Sequence, residues 1–200
     1  CKITDEELSV WTRDVAASGE ALSEYRKAYF NLLTPRFKAI MARRSPSREG
    51  LDLRFRKGWD KQLSYREALI NSESTDRDQG YTHVGPQRAD IRVMIGKHHA
   101  SETLSRGQQK LAVCGLKLAQ GQLMSEMGHG HCSYLVDDLP SELDRQHAGL
   151  VCQLLSDMEA QVFITCVHSK DILSVWPEAE KDEFAMFHVE HGTVSQSATL

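Results

Sequence analysis

Apolar residues recur at heptad spacing near the start of the chain. Leu8, Val15, Leu22 and Tyr29 stand seven apart, and Trp11, Tyr25 and Leu32 form a second row. This predicts one long helix over residues 5 to 33, with coiled-coil-like spacing held for about three and a half heptads. A helix of this kind also suits the packed interior of a globular lobe. Ser18 and Gly19 interrupt the stripe, and Thr34-Pro35 predicts its end. Leu51 to Arg56 alternates, a strand pattern with Arg54 and Arg56 on the face opposite Leu53 and Phe55. Tyr65 to Asp78 reads as a polar helix, and Gly80 to Pro86 as a strand running into a tight turn. Asp90 to Ile95 alternates again, with Ile91, Val93 and Ile95 on one face, and Lys97-His98-His99 reads as a turn. Leu111 to Met124 is an apolar helical run. Tyr134 to Val136 and Gln161 to Thr165 read as buried strands, parallel through a right-handed crossover carrying a helix from Ser141 to Asp157. A short helix from Lys170 to Trp176 is ended by Pro177. Phe184 to Val189 reads as a last strand, and the polar tail after Gly192 as frayed.

Composition adds bounds. The 200 residues suffice for one large or two small domains, and 40% apolar content suffices for a core. No apolar run reaches the roughly 20 residues of a membrane span. Charges at Lys2 and Asp5 argue against a signal peptide. The five cysteines, at 1, 114, 132, 152 and 166, are odd in number and scattered, which suits reduced thiols and a cytoplasmic location. The opening residue is Cys1 rather than Met, so a piece of a longer protein is expected. The net charge of −4 argues against bulk nucleic-acid binding, yet it is unevenly spread. Residues 35 to 66 hold ten Lys/Arg against three acids, and residues 134 to 200 hold twelve acids against three Lys/Arg. Arg43, Arg44, Arg54, Arg56 and Lys57 are the candidate contacts to a DNA backbone; a solvated polar face is the alternative. His129, His131 and Cys132 sit in a Gly-rich loop with no second ligand pair at zinc-like spacing, and read as surface loop.

The chemistry concentrates in two stretches. Leu104-Ser105-Arg106-Gly107-Gln108-Gln109-Lys110 opens the apolar helix. Ser105 can cap that helix and offer a hydroxyl, Gly107 lets backbone approach an anion, and the first free N–H groups and the helix dipole point the same way. About thirty residues on, Tyr134-Leu135-Val136-Asp137-Asp138 is an apolar run ending in two carboxylates, the Walker B pattern: one holds Mg²⁺ and the next orients or deprotonates a water. Leu139-Pro140-Ser141-Glu142-Leu143-Asp144 follows at once. In this order and spacing the three read as the signature, Walker B and D-loop of the ABC-type ATPase superfamily.

The resemblance narrows further. Glu102 to Leu111 with Leu116 to Gly121, Tyr134 to Asp144, and Gly85-Pro86-Gln87-Arg88-Ala89-Asp90 resemble the RecF family of bacterial DNA replication and repair proteins, in its C-terminal portion. Gln87 departs from the His usual in that family. The resemblance implies an α/β fold: the C-terminal half of an ABC/Rad50-like ATPase lobe, a parallel-rich sheet with flanking helices, plus a mainly helical second lobe. The expected division is 1–78 for the helical lobe, basic over 35–66, and 79–200 for the ATPase part. It also implies ATP and Mg²⁺ as cofactors, DNA binding at gaps, an ATP-dependent homodimer, action with RecR and RecO to load RecA, and a part in the SOS response. Ser105, Arg106, Gly107 and Gln108 would meet the nucleotide of the partner subunit. Asp137 would support Mg²⁺, Asp138 would be the catalytic carboxylate, and Ser141 and Asp144 would belong to the D-loop at the dimer seam. Asp138 stands where many ABC ATPases have Glu, so slow hydrolysis is expected. Cys166 or His168 stands near the usual switch histidine.

No GxxxxGK[ST] occurs anywhere, so the phosphate-binding loop of this superfamily is missing. The chain alone is therefore expected to bind ATP weakly and hydrolyse it negligibly. An SMC/Rad50-like chromosome tether is the alternative, and would need long heptad arms. A transporter ATPase subunit would not carry the basic helical region or Gln108-Gln109-Lys110. A relic that only binds DNA or a partner is the non-enzymatic option.

Overall fold

The structure, a computed structural model, describes residues 4–44, 50–130, 132–158, 160–177 and 184–196. The chain divides into two compact units, Cys1–Leu104 and Ser105–Leu200.

The first unit is built on one long helix, α1 (Asp5–Arg44). It runs through Pro35 instead of stopping there. An interior proline costs about 3 kcal/mol in a helix. Here Thr34 Oγ1 donates to the Phe30 carbonyl at 2.8 Å, and Leu33, Phe37, Ile40 and Met41 on both sides of the proline are buried. At about 1.5–3 kcal/mol each, four such side chains outweigh the proline. The buried face also differs from the predicted one. Ala16, Gly19 and Ser23 face inward, while the heptad rows lie outside. Gly19 does not interrupt the helix. It is a seat for Tyr65, whose ring carbons would lie 2.4 and 2.6 Å from a Cβ there.

β1 (Leu51–Arg56) follows, with Leu51 and Leu53 buried and Arg54 and Arg56 exposed, as the alternation predicts. α2 (Tyr65–Gln79) starts at a capping box between Ser64 and Glu67. Gly80 ends it in left-handed conformation, φ 76°, so the expected strand over 80–86 is instead a helix cap, an irregular bend and a short 3₁₀ turn, Pro86–Arg88. β2 (Asp90–Ile95) pairs antiparallel with β1, Leu53 opposite Val93, and then with β3 (His98–His99). β2 and β3 thus belong with the first unit, which closes with α3 (Ala100–Thr103).

The second unit begins with α4 (Arg106–Glu126), whose Leu111, Leu118, Ala119 and Leu123 are buried. β4 (Tyr134–Val136) and β5 (Val162–Ile164) pair in parallel, Leu135 opposite Phe163. Between them the crossover is two helices, α5 (Leu139–Glu142) and α6 (Arg145–Ser156), because Asp144 leaves the helix to cap α6. The strands were expected to be buried. Instead Leu135 is 81% and Phe163 50% exposed. On the other face of this two-stranded sheet Tyr134 seats on Gly121 of α4, and Val136, Val162 and Ile164 are half-buried; parallel sheets ordinarily have both faces covered. α7 (Ser169–Leu173) follows. β6 (Phe187–Glu190) and β7 (Thr193–Gln196) form a hairpin. His191 and Gly192, both at positive φ, make its two-residue turn, so residues 193–196 are paired rather than frayed.

Candidate nucleotide-binding site

Ser105 is the N-cap of α4. Its Oγ accepts from the Gln108 N–H at 3.3 Å, and the Gln108 side-chain oxygen accepts from the Ser105 N–H at 3.0 Å. This closed capping box holds the helix start rigid and exposed, with Arg106 as the first helical residue. Gly107 lies close against the segment that follows β4. A Cβ there would lie 3.1 Å from His147 Nδ1 and 3.4 Å from Asp144 Oδ2. The start of α4 and the segment after β4 thus meet at Gly107, which has no side chain. Asp144 accepts from the His147 N–H at 3.0 Å and approaches its ring nitrogen at 2.7 Å. These bonds, the backbone one first, hold the Asp144 carboxyl below the usual range. Lys110 donates to the Glu142 carbonyl at 2.7 Å and pairs with its carboxylate, a further tie between the two segments. Ser141 lies exposed on α5.

Asp137 and Asp138 end β4 as expected. The sequence reading missed the residue that organises them, Thr165. Its Oγ1 donates to Asp137 Oδ1 at 2.5 Å and accepts from the Asp138 N–H at 2.9 Å. The parallel register that sets Val136 opposite Ile164 places it there. Asp138 itself sits at φ 42°, ψ 47°, a left-handed conformation that Asp tolerates better than most residues. The Cys166 thiol is pushed up by burial and then by the negative charges of Asp171 and Asp138. His168 caps α7 by position and is exposed.

No group of three or more His, Cys, Asp or Glu side chains that could hold a metal ion occurs among the described residues. What is present suits Mg²⁺ held in part by phosphate: one carboxylate, Asp137, with a hydroxyl beside it. His131 of the Gly-rich loop lies outside the described residues.

The basic candidates lie in the first unit. The side chains of Arg43 and Arg44, at the end of α1, lie outside the described residues. Arg54 donates to the Gly96 carbonyl at 3.0 Å. Lys57 donates to the Leu63 carbonyl and stands 4.7 Å from the centroid of Trp59. Arg56 is exposed and lines an open cavity of about 600 Å³ together with Arg88, His83 and Asp90. Arg88 belongs to the Gly85–Asp90 motif and had no role assigned from sequence. Only the β1–β2 pairing, Arg56 opposite Asp90, brings it beside Arg56.

A Ser-capped helix start touches the segment after a parallel strand that ends in two acids, within a mixed α/β fold. Residues 19–195 match the family described as RecF/RecN/SMC N terminal domain, and the chain belongs to that family. It is 46% identical over 188 residues to the DNA replication and repair protein RecF of Stutzerimonas stutzeri (strain A1501), covering 94% of this chain and 50% of that protein. It is 43% identical over 199 residues to the RecF of Pseudomonas aeruginosa (strain LESB58), covering 100% of this chain and 53% of that one. A solved structure described as the recombination mediator protein RecF-ATP in the RecFOR pathway superposes with a TM-score of 0.75 at 21% identity, over 98% of this chain and 52% of that one, a likeness of fold. The chain spans about half the length of the curated relatives it matches. No helix among the described residues is long and apolar enough to cross a membrane.

Proposed function

We propose that this chain supplies the signature half of a composite ATP site in a DNA replication and repair protein of the RecF type. The observation that carries the reading is the contact of Gly107 with Asp144 and His147, which joins signature and D-loop into one surface. In this reading Ser105, Gly107 and Gln108 meet the γ-phosphate of a nucleotide whose phosphate-binding loop belongs to another subunit. Arg106, exposed at the helix start, adds positive charge there. Asp137 supports Mg²⁺, which when bound neutralises charge on the phosphates. Asp138 orients the attacking water, and Thr165 fixes the backbone of Asp138 and the carboxylate of Asp137. An Asp is one methylene shorter than Glu, so hydrolysis is slow and suits a timing switch. Ser141 and Asp144 line the dimer seam.

DNA is the proposed macromolecular partner. Arg56 and Arg88 are the described cations best placed for its phosphates, with Arg54 and Lys57 beside them and Arg43 and Arg44 continuing the strip in sequence. Binding at gaps, with RecR and RecO assisting RecA in the cytoplasm and during the SOS response, is the biological setting this reading implies. A chromosome tether is less favoured: the heptad stripe ends within α1, and β1 follows shortly after.

The test uses a protein of the relatives' full length carrying these residues. Fluorescence anisotropy on gapped DNA should show ATP-dependent binding. Ser105→Arg should remove the ATP dependence and leave ATP binding intact, whereas Ser105→Ala, which loses only the cap, should retain part of it. DNA binding indifferent to ATP in the parent protein would refute the reading.

A further inference from the structure

The two faces of the β1–β2 ladder differ in chemistry. Leu51, Leu53 and Phe55 share one face with Ile95, Val93 and Ile91 opposite them. The other face sets Asp52, Arg54 and Arg56 opposite Met94, Arg92 and Asp90. Arg54 therefore stands directly across from Arg92, and like charges in that position destabilise a sheet. The surroundings do little to relieve them. Arg54 donates to the Gly96 carbonyl at 3.0 Å, which fixes its guanidinium and neutralises no charge. Asp90 comes only to 3.6 Å of Arg92, outside good hydrogen-bond distance. Asp52, the other acid of this face, is taken by Lys38 of α1 at 2.7 Å, and that bond holds its carboxyl low. Past the end of the ladder Arg88 lines the same open cavity as Arg56. Among the described residues no carboxylate pairs with Arg56 or Arg88.

A solvated polar face accounts for exposed arginines, but not for two of them set against each other where opposite signs would favour the sheet. A guanidinium cannot shed its proton, so the repulsion persists at every working pH. An anion lying between the two relieves it. The arginines fall into two pairs, Arg54 with Arg92 and Arg56 with Arg88, separated by two residues of β1, a rise of about 7 Å. Each planar fork matches phosphate oxygens. A free anion would fill one pair and leave the other open, whereas two pairs in a row suit phosphates joined in a chain. Arg54, Arg56 and Arg88 are exposed, so such a chain can lie across the face.

We propose that Arg92 is a phosphate-contact residue, and that the polar face of β1 and β2 clamps the backbone of one DNA strand at two points, one phosphate between Arg54 and Arg92 and another between Arg56 and Arg88. This rests on the DNA reading given above and narrows it to a particular face and to contacts that carry no sequence preference. No residue of the nucleotide site takes part.

The test uses a protein of the relatives' full length carrying these residues, with ATP present, and follows its binding to gapped DNA by fluorescence anisotropy over a series of salt concentrations. Arg92→Gln should weaken Kd about tenfold, equally on DNAs of unrelated sequence, because one charge-assisted bond to phosphate is lost. Arg54→Gln combined with Arg92→Gln should lower the dependence of log Kd on log salt by about one, the loss of one phosphate contact. Arg92→Lys keeps the charge and loses the fork, so it should keep the salt dependence and recover part of the affinity. In urea, Arg92→Gln should unfold at the same denaturant concentration as the parent or a higher one, since a like-charge pair has been removed. Lys27→Gln takes an equal charge from the exposed surface of α1 and should leave Kd and its salt dependence unchanged. DNA binding by the parent that survives Arg92→Gln and the double substitution unaltered would overturn the clamp and leave the DNA reading standing. Equal weakening by Lys27→Gln, or a marked fall in the urea midpoint of Arg92→Gln, would overturn it as well. A parent protein that binds no DNA would overturn the DNA reading and the clamp together.

Discussion

Replacing Thr165 by valine tests whether one hydroxyl organises the two acids, Asp137 and Asp138, that follow β4. Valine keeps the shape and removes the oxygen that donates to Asp137 at 2.5 Å and accepts from the Asp138 N–H at 2.9 Å. A hydrogen bond to a charged group is worth about 1.5–3 kcal/mol and a neutral one about 1 kcal/mol. Asp137 and Thr165 are exposed and Asp138 is half-buried, so water recovers part of both. The net loss should be about 1–2 kcal/mol, a fall in Tm of roughly 2–8 °C for a chain of this size. The loss should also be local. Amide hydrogen exchange at Asp138, followed by NMR, should quicken about tenfold, matching about 1.4 kcal/mol. Thr165→Ser, which keeps the hydroxyl, should restore most of the protection. Unchanged exchange at Asp138 in Thr165→Val would refute the bridging role.

Three further outcomes are expected. Gly19→Ala should destabilise the chain by up to about 2 kcal/mol in urea titration, because overpacking against the Tyr65 ring at 2.4 Å costs about 1–3 kcal/mol and is offset by the roughly 1 kcal/mol that alanine adds to a helix; a gain in stability would show that the ring can move aside. Asp76 is partly desolvated, which raises its pKa, but bonds from the His83 ring and N–H and from Ser72 outweigh this and hold the carboxyl low. Its contribution is therefore present above the unfolded carboxyl pKa of about 4 and is lost as pH falls below it, so the urea midpoint should drop in acid more steeply in the parent than in Asp76→Asn; parallel curves would contradict this. Titration calorimetry with ATP and Mg²⁺ on the 200-residue chain should give a Kd weaker than about 1 mM, since no GxxxxGK[ST] is present. Micromolar affinity would mean that these residues form a complete site.

The site was legible in the sequence where its chemistry is local. Ser105 and Gln108 lie three apart and form their capping box within one turn, and Asp137-Asp138 follow directly from an apolar run. Thr165 was not legible as a partner, because it reaches the acids only through the β4–β5 register. His147 was hidden for a similar reason: only the structure shows that Gly107 is the surface it meets. In the first unit, Pro35 reads as a helix stop, and burial of Leu33 and Phe37 overrides that preference. The heptad pattern correctly marks an apolar face, yet periodicity cannot say which of two faces is buried. Ala16, Gly19 and Ser23 give little hydrophobic signal because close approach, rather than side-chain bulk, is what that face supplies. The break between α5 and α6 shows the opposite case, with Asp144 both N-capping α6 and meeting the signature.

The central claim is that Ser105 and Gly107 act on a nucleotide held by another polypeptide. Sedimentation velocity of this chain mixed with the full-length Stutzerimonas stutzeri relative, with and without ATP, tests it most directly. The account predicts a mixed complex that needs ATP, survives Ser105→Ala at reduced strength and is abolished by Ser105→Arg. Association that is equally strong without ATP, or that is untouched by Ser105→Arg, would contradict it.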